Sequence, residues 1–188
     1  MLPYTKVLLR RLRTWILVGL GLALTGCWSD HIRTGSPFEW ILPKRAPVPK
    51  VPKENPMSTE KVNLGRHLFY EKRLSINEKF SCGSCHKQKR AFTDGRRFAV
   101  GATGERHTKN TPSLTNVAYS SLLTWANPSL RSLEAHPGVP LFSSKPIEMG
   151  MDGREHEIVR FLNKDPKYST WFHSAFPQSE VKVSIKNI

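Results

Sequence analysis

From Ser58 onward the apolar residues return at helical spacing. Val62 and Phe69, with Leu64 and Leu68, predict a helix capped by Ser58 and reaching about Tyr70. A short second helix is expected from about Ser81. Leu114, Val117 and Ala118 share one face and make residues 112–123 helix-compatible; residues 128–135 allow another turn or two. Asp152 with Glu155 forms a capping pattern ahead of Ile158, Val159 and Leu162. Asp165-Pro166 ends that helix, and Tyr168, Trp171, Phe172, Ala175 and Phe176 mark the next. Residues 90–111, with Gly95, Gly101 and Gly104, read as a long polar loop, and residues 136–151 as a second, rich in Pro and Gly. The tail VKVSIKNI alternates apolar and polar, which alone predicts a strand, but one with no visible partner. The fold class is therefore mostly α with long loops.

Before Ser58 the pattern changes twice. Lys6, Arg10, Arg11 and Arg13 precede the uncharged apolar stretch WILVGLGLALTG, twelve residues long. That is short for a membrane span and suits an export signal. The run ends Leu24-Thr25-Gly26-Cys27, which resembles the bacterial lipobox, so residues 1–26 are expected to be a lipoprotein signal peptide and Cys27 the acylated residue. An uncleaved signal anchor with an incidental cysteine is the alternative. Residues 27–56 carry Pro43, Pro47, Pro49, Pro52 and Pro56 and read as an extended Pro-rich tether. The expected location is the periplasm, membrane-anchored through lipid. Removing residues 1–26 takes away four basic side chains and no acidic one, lowering the net charge of +14 to about +10. The remaining charges are scattered, which suits a solvated face, an anionic membrane or an acidic redox partner; nucleic acid ranks last for an exported protein.

Residues 81–95 read SCGSCHKQKRAFTDG, and they hold two of the chain's three cysteines. Cys82, Cys85 and His86 form a C-x-x-C-H run, the pattern of c-type haem attachment. Two thiols would bond the haem vinyl groups, and the imidazole would ligate iron. A disulfide leaves His86 unexplained. A zinc site needs about two further ligands, which no suitably spaced Cys/His pair supplies. A thioredoxin-type pair needs a βαβ context that is absent. One thiol for lipid and two for haem account for every cysteine.

Residues 64–177 resemble the bacterial di-haem cytochrome c peroxidase and MauG-type family. The pieces that carry the resemblance occur in order: LGRHLFYEKRLS, SCGSCHKQKRAFTDG, GATGERHTKNTPSLTNVAY, LTWANPSLRSLEAHPGVPLFSSKPIEMG and DPKYSTWFHSAFP. The resemblance implies that residues 57–188 form an N-terminal cytochrome c-like haem domain with covalent haem c. Cys82, Cys85 and His86 match the attachment motif and proximal ligand of the peroxide-handling haem. Glu148, in PIEMG, matches the family's acid–base glutamate; a carboxylate is suited to relaying a peroxide proton. Taken alone, Glu148 would read as a surface loop residue or a helix cap. Asn110 matches a ligand to a structural calcium, a hard ion that suits an amide oxygen; otherwise it starts the turn before Pro112. Trp125 matches a tryptophan between two haems that passes electrons; otherwise it is a packed aromatic.

Other positions depart from the pattern. His136 stands where the family usually has glutamine; it could bond bound peroxide, ligate iron or lie idle in its loop. His107 lies in a loop from which some members bring an iron-ligating histidine, but at the wrong offset. Met149 and Met151 read as packed side chains. The family carries a second C-x-x-C-H and a second domain, and neither is present in these residues. The expectation is the N-terminal half of a di-haem enzyme that reduces hydrogen peroxide with electrons from a small redox protein, completed by a second haem domain or companion chain. A mono-haem electron carrier and a MauG-type oxidant of a protein residue are the alternatives.

Overall fold

The computed structural model describes residues 36–125 and 127–188. The expected signal peptide, residues 1–26, and the expected acylation site Cys27 lie outside them. Helix α1 is Thr59–Tyr70, and its cap is as expected: the Ser58 hydroxyl accepts from the Lys61 N–H at 3.2 Å. The attachment motif folds as α2, Cys82–Cys85. Helix α3 is Gly138–Phe142, α4 is Glu155–Lys164 and α5 is Pro166–Ala175. Asp165 closes α4 and opens α5, its carboxylate accepting from the Lys167 N–H at 3.0 Å while Pro166 takes the first helical position.

The core lies where α1, α4 and α5 meet. Leu64 and Leu68 from α1 face Ile158 and Leu162 from α4 and Tyr168, Phe172 and Ala175 from α5. Ile158, Leu162 and Phe172 are 0% exposed, worth about 1.5–3 kcal/mol each in apolar burial. His67 of α1 stacks on Trp171 of α5 at 3.9 Å. A polar clasp joins the end of α1 to the α4–α5 junction: Arg73 donates to Glu71 at 2.7 Å and to Asp165 at 3.0 Å. The Tyr168 hydroxyl donates to Glu71 at 2.9 Å. The Arg73 guanidinium also lies over the Phe161 ring at 4.8 Å.

Several expectations change. Among the described residues no strand ladder forms; pairing is limited to isolated bridges. The alternating tail is a turn and a 3-10 segment, Ile185–Asn187, with Val183 buried and Ile185 and Ile188 packed on the core. Burial of an alternating run against helices needs no second strand. Residues 112–123 give only a 3-10 turn, Val117–Tyr119. The hydroxyls of Ser113 and Thr115 bond the Ala91 carbonyl, and Asn116 is left-handed at φ 58, so the helical register cannot start earlier. Asp152 is exposed and does not cap α4; the cap position is Arg154, whose Nε pairs with Glu157 at 3.3 Å. Helix α3 sits inside what reads as a loop. Pro140 falls in its first turn, where the missing N–H costs nothing.

From residue 36 onward the Pro-rich segment lies along the domain and is interrupted by turns, in which the Ala46 N–H donates to the Pro43 carbonyl at 2.9 Å and the Asn55 N–H to the Pro52 carbonyl at 3.1 Å. Pro49 is buried, and the Tyr119 hydroxyl donates to the Pro47 carbonyl at 2.7 Å. Among the described residues no helix is long and apolar enough to cross a membrane.

Candidate functional site

Helix α2 is a single turn, so Cys82 and Cys85 stand on one face, three residues apart. Both are free, half-buried thiols. The turn is set against α1 through Gly83: a side chain there would meet the Tyr70 ring at 2.6 Å. The Ser81 N–H donates to the Ser84 hydroxyl at 2.9 Å, fixing the start of the turn.

His86 closes the turn, its N–H donating to the Cys82 carbonyl at 2.9 Å. Its Nδ1 lies 2.9 Å from the Phe92 carbonyl. A carbonyl only accepts, so Nδ1 carries the proton and the Nε2 lone pair is free for a metal. The carbonyl is aimed by two left-handed residues, Ala91 at φ 53 and Phe92 at φ 60. That conformation is unusual for side chains of this kind. It is held by the Phe92 N–H donating to Lys87 at 3.0 Å and by a bridge between Lys87 and Thr93. Burial pushes the His86 imidazole below its usual range, and the Phe92 carbonyl opposes this. A neutral imidazole is the form that ligates iron.

Burial pushes the Cys82 thiol up to about 11, with Cys85 and Glu148 adding to the effect. Burial also raises Cys85, helped by Asp94 and Glu148. Thiols held neutral do not favour a nucleophilic redox pair. Among the described residues no group of three or more His, Cys, Asp and Glu is placed to hold a metal ion. Two neutral thiols on one face, followed by an imidazole with a free Nε2, fit a covalently attached haem c. Cys82 and Cys85 would carry the thioethers and His86 the iron.

Glu148 faces this same region, close enough to raise both thiols. Burial raises the Glu148 carboxyl itself, while His107 and His136 draw it back down. His136 begins the turn leading into α3 and also acts on His86. The structure thus places Glu148 within Coulombic reach of Cys82 and Cys85, and His136 within Coulombic reach of His86 and Glu148. It adds His107, whose Nε2 is 4.0 Å from Glu148 Oε1. Nothing in the local sequence marks that contact, because its partner lies in another loop.

Trp125 and Asn110 form a separate pair. The Trp125 indole N–H donates to the Asn110 carbonyl at 2.8 Å, and Trp125 stays 57% exposed. Exposure of that size is the reverse of an ordinary packed aromatic. The Asn110 side chain is exposed, and its amide donates to the Thr111 carbonyl at 3.4 Å. Met149 and Met151 are buried members of the core, as packed side chains should be.

The family described as di-haem cytochrome c peroxidase matches residues 59–188. The methylamine utilization protein MauG of Methylorubrum extorquens AM1 is 34% identical over 129 residues, covering 69% of this chain and 35% of that protein. Cytochrome c peroxidase Ccp of Escherichia coli K12 is 31% identical over 135 residues, covering 72% of this chain and 28% of that protein. The crystal structure of a MauG-like protein associated with microbial copper homeostasis superposes with a TM-score of 0.75 at 48% identity. It covers 80% of this chain and 45% of its own. The chain spans less than half the length of each of these relatives.

Proposed function

Because the chain belongs to the di-haem cytochrome c peroxidase family, we propose that it supplies that family's peroxide-handling haem domain. The reaction is two-electron reduction of hydrogen peroxide to water, with electrons from a small cytochrome-type donor. Haem c, when bound, supplies the iron that takes up peroxide and passes electrons to it. His86 would hold the haem iron through Nε2. Glu148 takes the proton from the oxygen that binds and returns it to the oxygen that leaves. His136, whose charge also acts on Glu148, would offer the peroxide a hydrogen bond. The Trp125–Asn110 pair stands on an exposed face, which suits contact with a second haem domain, on this polypeptide or a companion chain; Asn110 would contribute to a calcium site there. A lipidated Cys27 and a periplasmic location complete the reading.

The observation that carries the proposal is the Cys82–His86 turn itself: two thiols on one face, followed by an imidazole whose Nδ1 is engaged by the Phe92 carbonyl and whose Nε2 is left free. The 48% identity to a MauG-like protein favours a second reading, in which the oxidising equivalents go to a side chain of a protein partner. Steady-state assays of the haem-loaded chain, with and without a separately made second haem domain, test the first. Turnover from a reduced cytochrome is expected only with both present. Full turnover by this chain alone contradicts the dependence, and oxidation of a partner protein without cytochrome turnover selects the second reading.

A further inference from the structure

We propose that His107, set by the hairpin against the Glu148 carboxylate, is a positioning residue for Glu148 and is not an iron ligand. The inference rests on Glu148 being the acid–base group. Residues 99–109 form a tight hairpin. The Ala99 N–H donates to Lys109 at 3.0 Å, the His107 N–H to Ala99 at 2.9 Å, and the Gly101 N–H to Glu105 at 2.9 Å. Val100 and Arg106 bridge across it.

This hairpin is fastened to the Glu148 segment at separate points. The Ala102 N–H donates to the Glu148 carbonyl at 2.6 Å. The Ile147 N–H donates to the Glu105 carboxylate at 3.2 Å. Gly101 lies so close to the Ile147 and Glu148 carbonyls that a side chain there would collide with backbone. Between these fasteners His107 Nε2 sits 4.0 Å from Glu148 Oε1, with the His107 side chain only 16% exposed. The separation is too long for a direct hydrogen bond and within reach of an ionic contact.

The contact has a task. Burial drives the Glu148 carboxyl toward its protonated form, which cannot take a proton from peroxide. The groups facing it are His107 from the hairpin, His136 from the turn before α3, and Cys82 and Cys85 from α2. Glu105 is already spent on the Ile147 N–H. Of these groups, the two histidines are the ones that oppose the effect of burial on the Glu148 carboxyl. His107 is the one whose position the hairpin fixes.

The sign follows. Glu148 works as a carboxylate, so reaction is full above its pKa and falls as pH drops through it. Removing His107 leaves burial less opposed, raises that pKa and moves the acid limb to higher pH. The test uses the exported, haem-loaded chain as wild type, His107→Gln, His107→Lys and Glu148→Gln. Stopped-flow peroxide reaction and cyanide association, which also gives up a proton on binding, are followed against pH, together with the ferric spin state. His107→Gln should shift both acid limbs up by about one unit, a tenfold slowing on the limb. His107→Lys should bring them most of the way back, and the spin state at neutral pH should be that of wild type. Unshifted limbs, a shift that Lys does not rescue, or conversion from low to high spin in His107→Gln overturns the proposal. If His107→Gln loads no haem, Glu105→Gln, which loosens the hairpin, carries the same expectation at smaller amplitude. Wild-type reactivity in Glu148→Gln sinks the reading of the site itself. Slowed Glu148→Gln with an unshifted His107→Gln sinks only this inference.

Discussion

On one side of the candidate site, His86 takes its orientation from a carbonyl six residues away. On the other, Glu148 is held by a hairpin whose Glu105 bonds Ile147 across 42 residues of sequence. The first arrangement is closed mainly within residues 82–93, braced by α1 behind Gly83 and by the Ser113 and Thr115 hydroxyls on Ala91. The second exists only once two loops have met. The contrast predicts that the two sides can be broken separately.

The largest separation should come from Glu148→Gln. The peroxide reaction should slow by about 10²–10⁴-fold while covalent haem content stays at wild-type level, checked by stopped-flow and haem staining. Leu162→Ala, by contrast, strikes the core that both sides share. Leu162 is 0% exposed, so the loss should be about 2–5 kcal/mol in denaturant unfolding, with no preference between the two sides. Gly101→Ala returns to the distal side alone. Its Cβ has no room against the Ile147 carbonyl, so the hairpin must move off Glu148. Peroxide reactivity should fall about 10–100-fold with attachment unchanged. A loss of covalent haem in that variant would mean that the two sides are not independent.

The smallest effect concerns the clasp behind both. Burial pushes the Glu71 carboxyl up, but hydrogen bonds from Arg73 and Tyr168 and the Arg73 charge hold it below its usual value. A depressed carboxylate stabilises the fold above its unfolded pKa, and that share is lost as pH falls through the folded value. Acid unfolding of Glu71→Gln should therefore show a shallower loss of stability below about pH 4.5 than wild type.

The same contrast explains what could be read from the sequence. Helices α1, α4 and α5 were legible because each buries one stripe: Leu64 and Leu68, Ile158 and Leu162, Tyr168 and Phe172. Cys82, Cys85 and His86 were legible because their chemistry lies in five consecutive residues. Glu148 was named only through the family resemblance; its own neighbours do not mark it. His107 was set aside because sequence offset speaks only to ligands in one loop, not to a carboxylate brought in from another. Helix α3 was hidden by Gly138 and Pro140, which signal loop unless the helix happens to start there. The tail kept a strand-like alternation because Val183 and Ile185 bury against helices, a partner that periodicity does not reveal.

The most direct test is the intact mass and Soret absorbance of the exported protein beside a Cys82→Ser, Cys85→Ser double variant. The account predicts one covalently held haem in the wild type and none in the variant. A wild-type protein without Soret absorbance or added porphyrin mass, or a variant that keeps both, would contradict it.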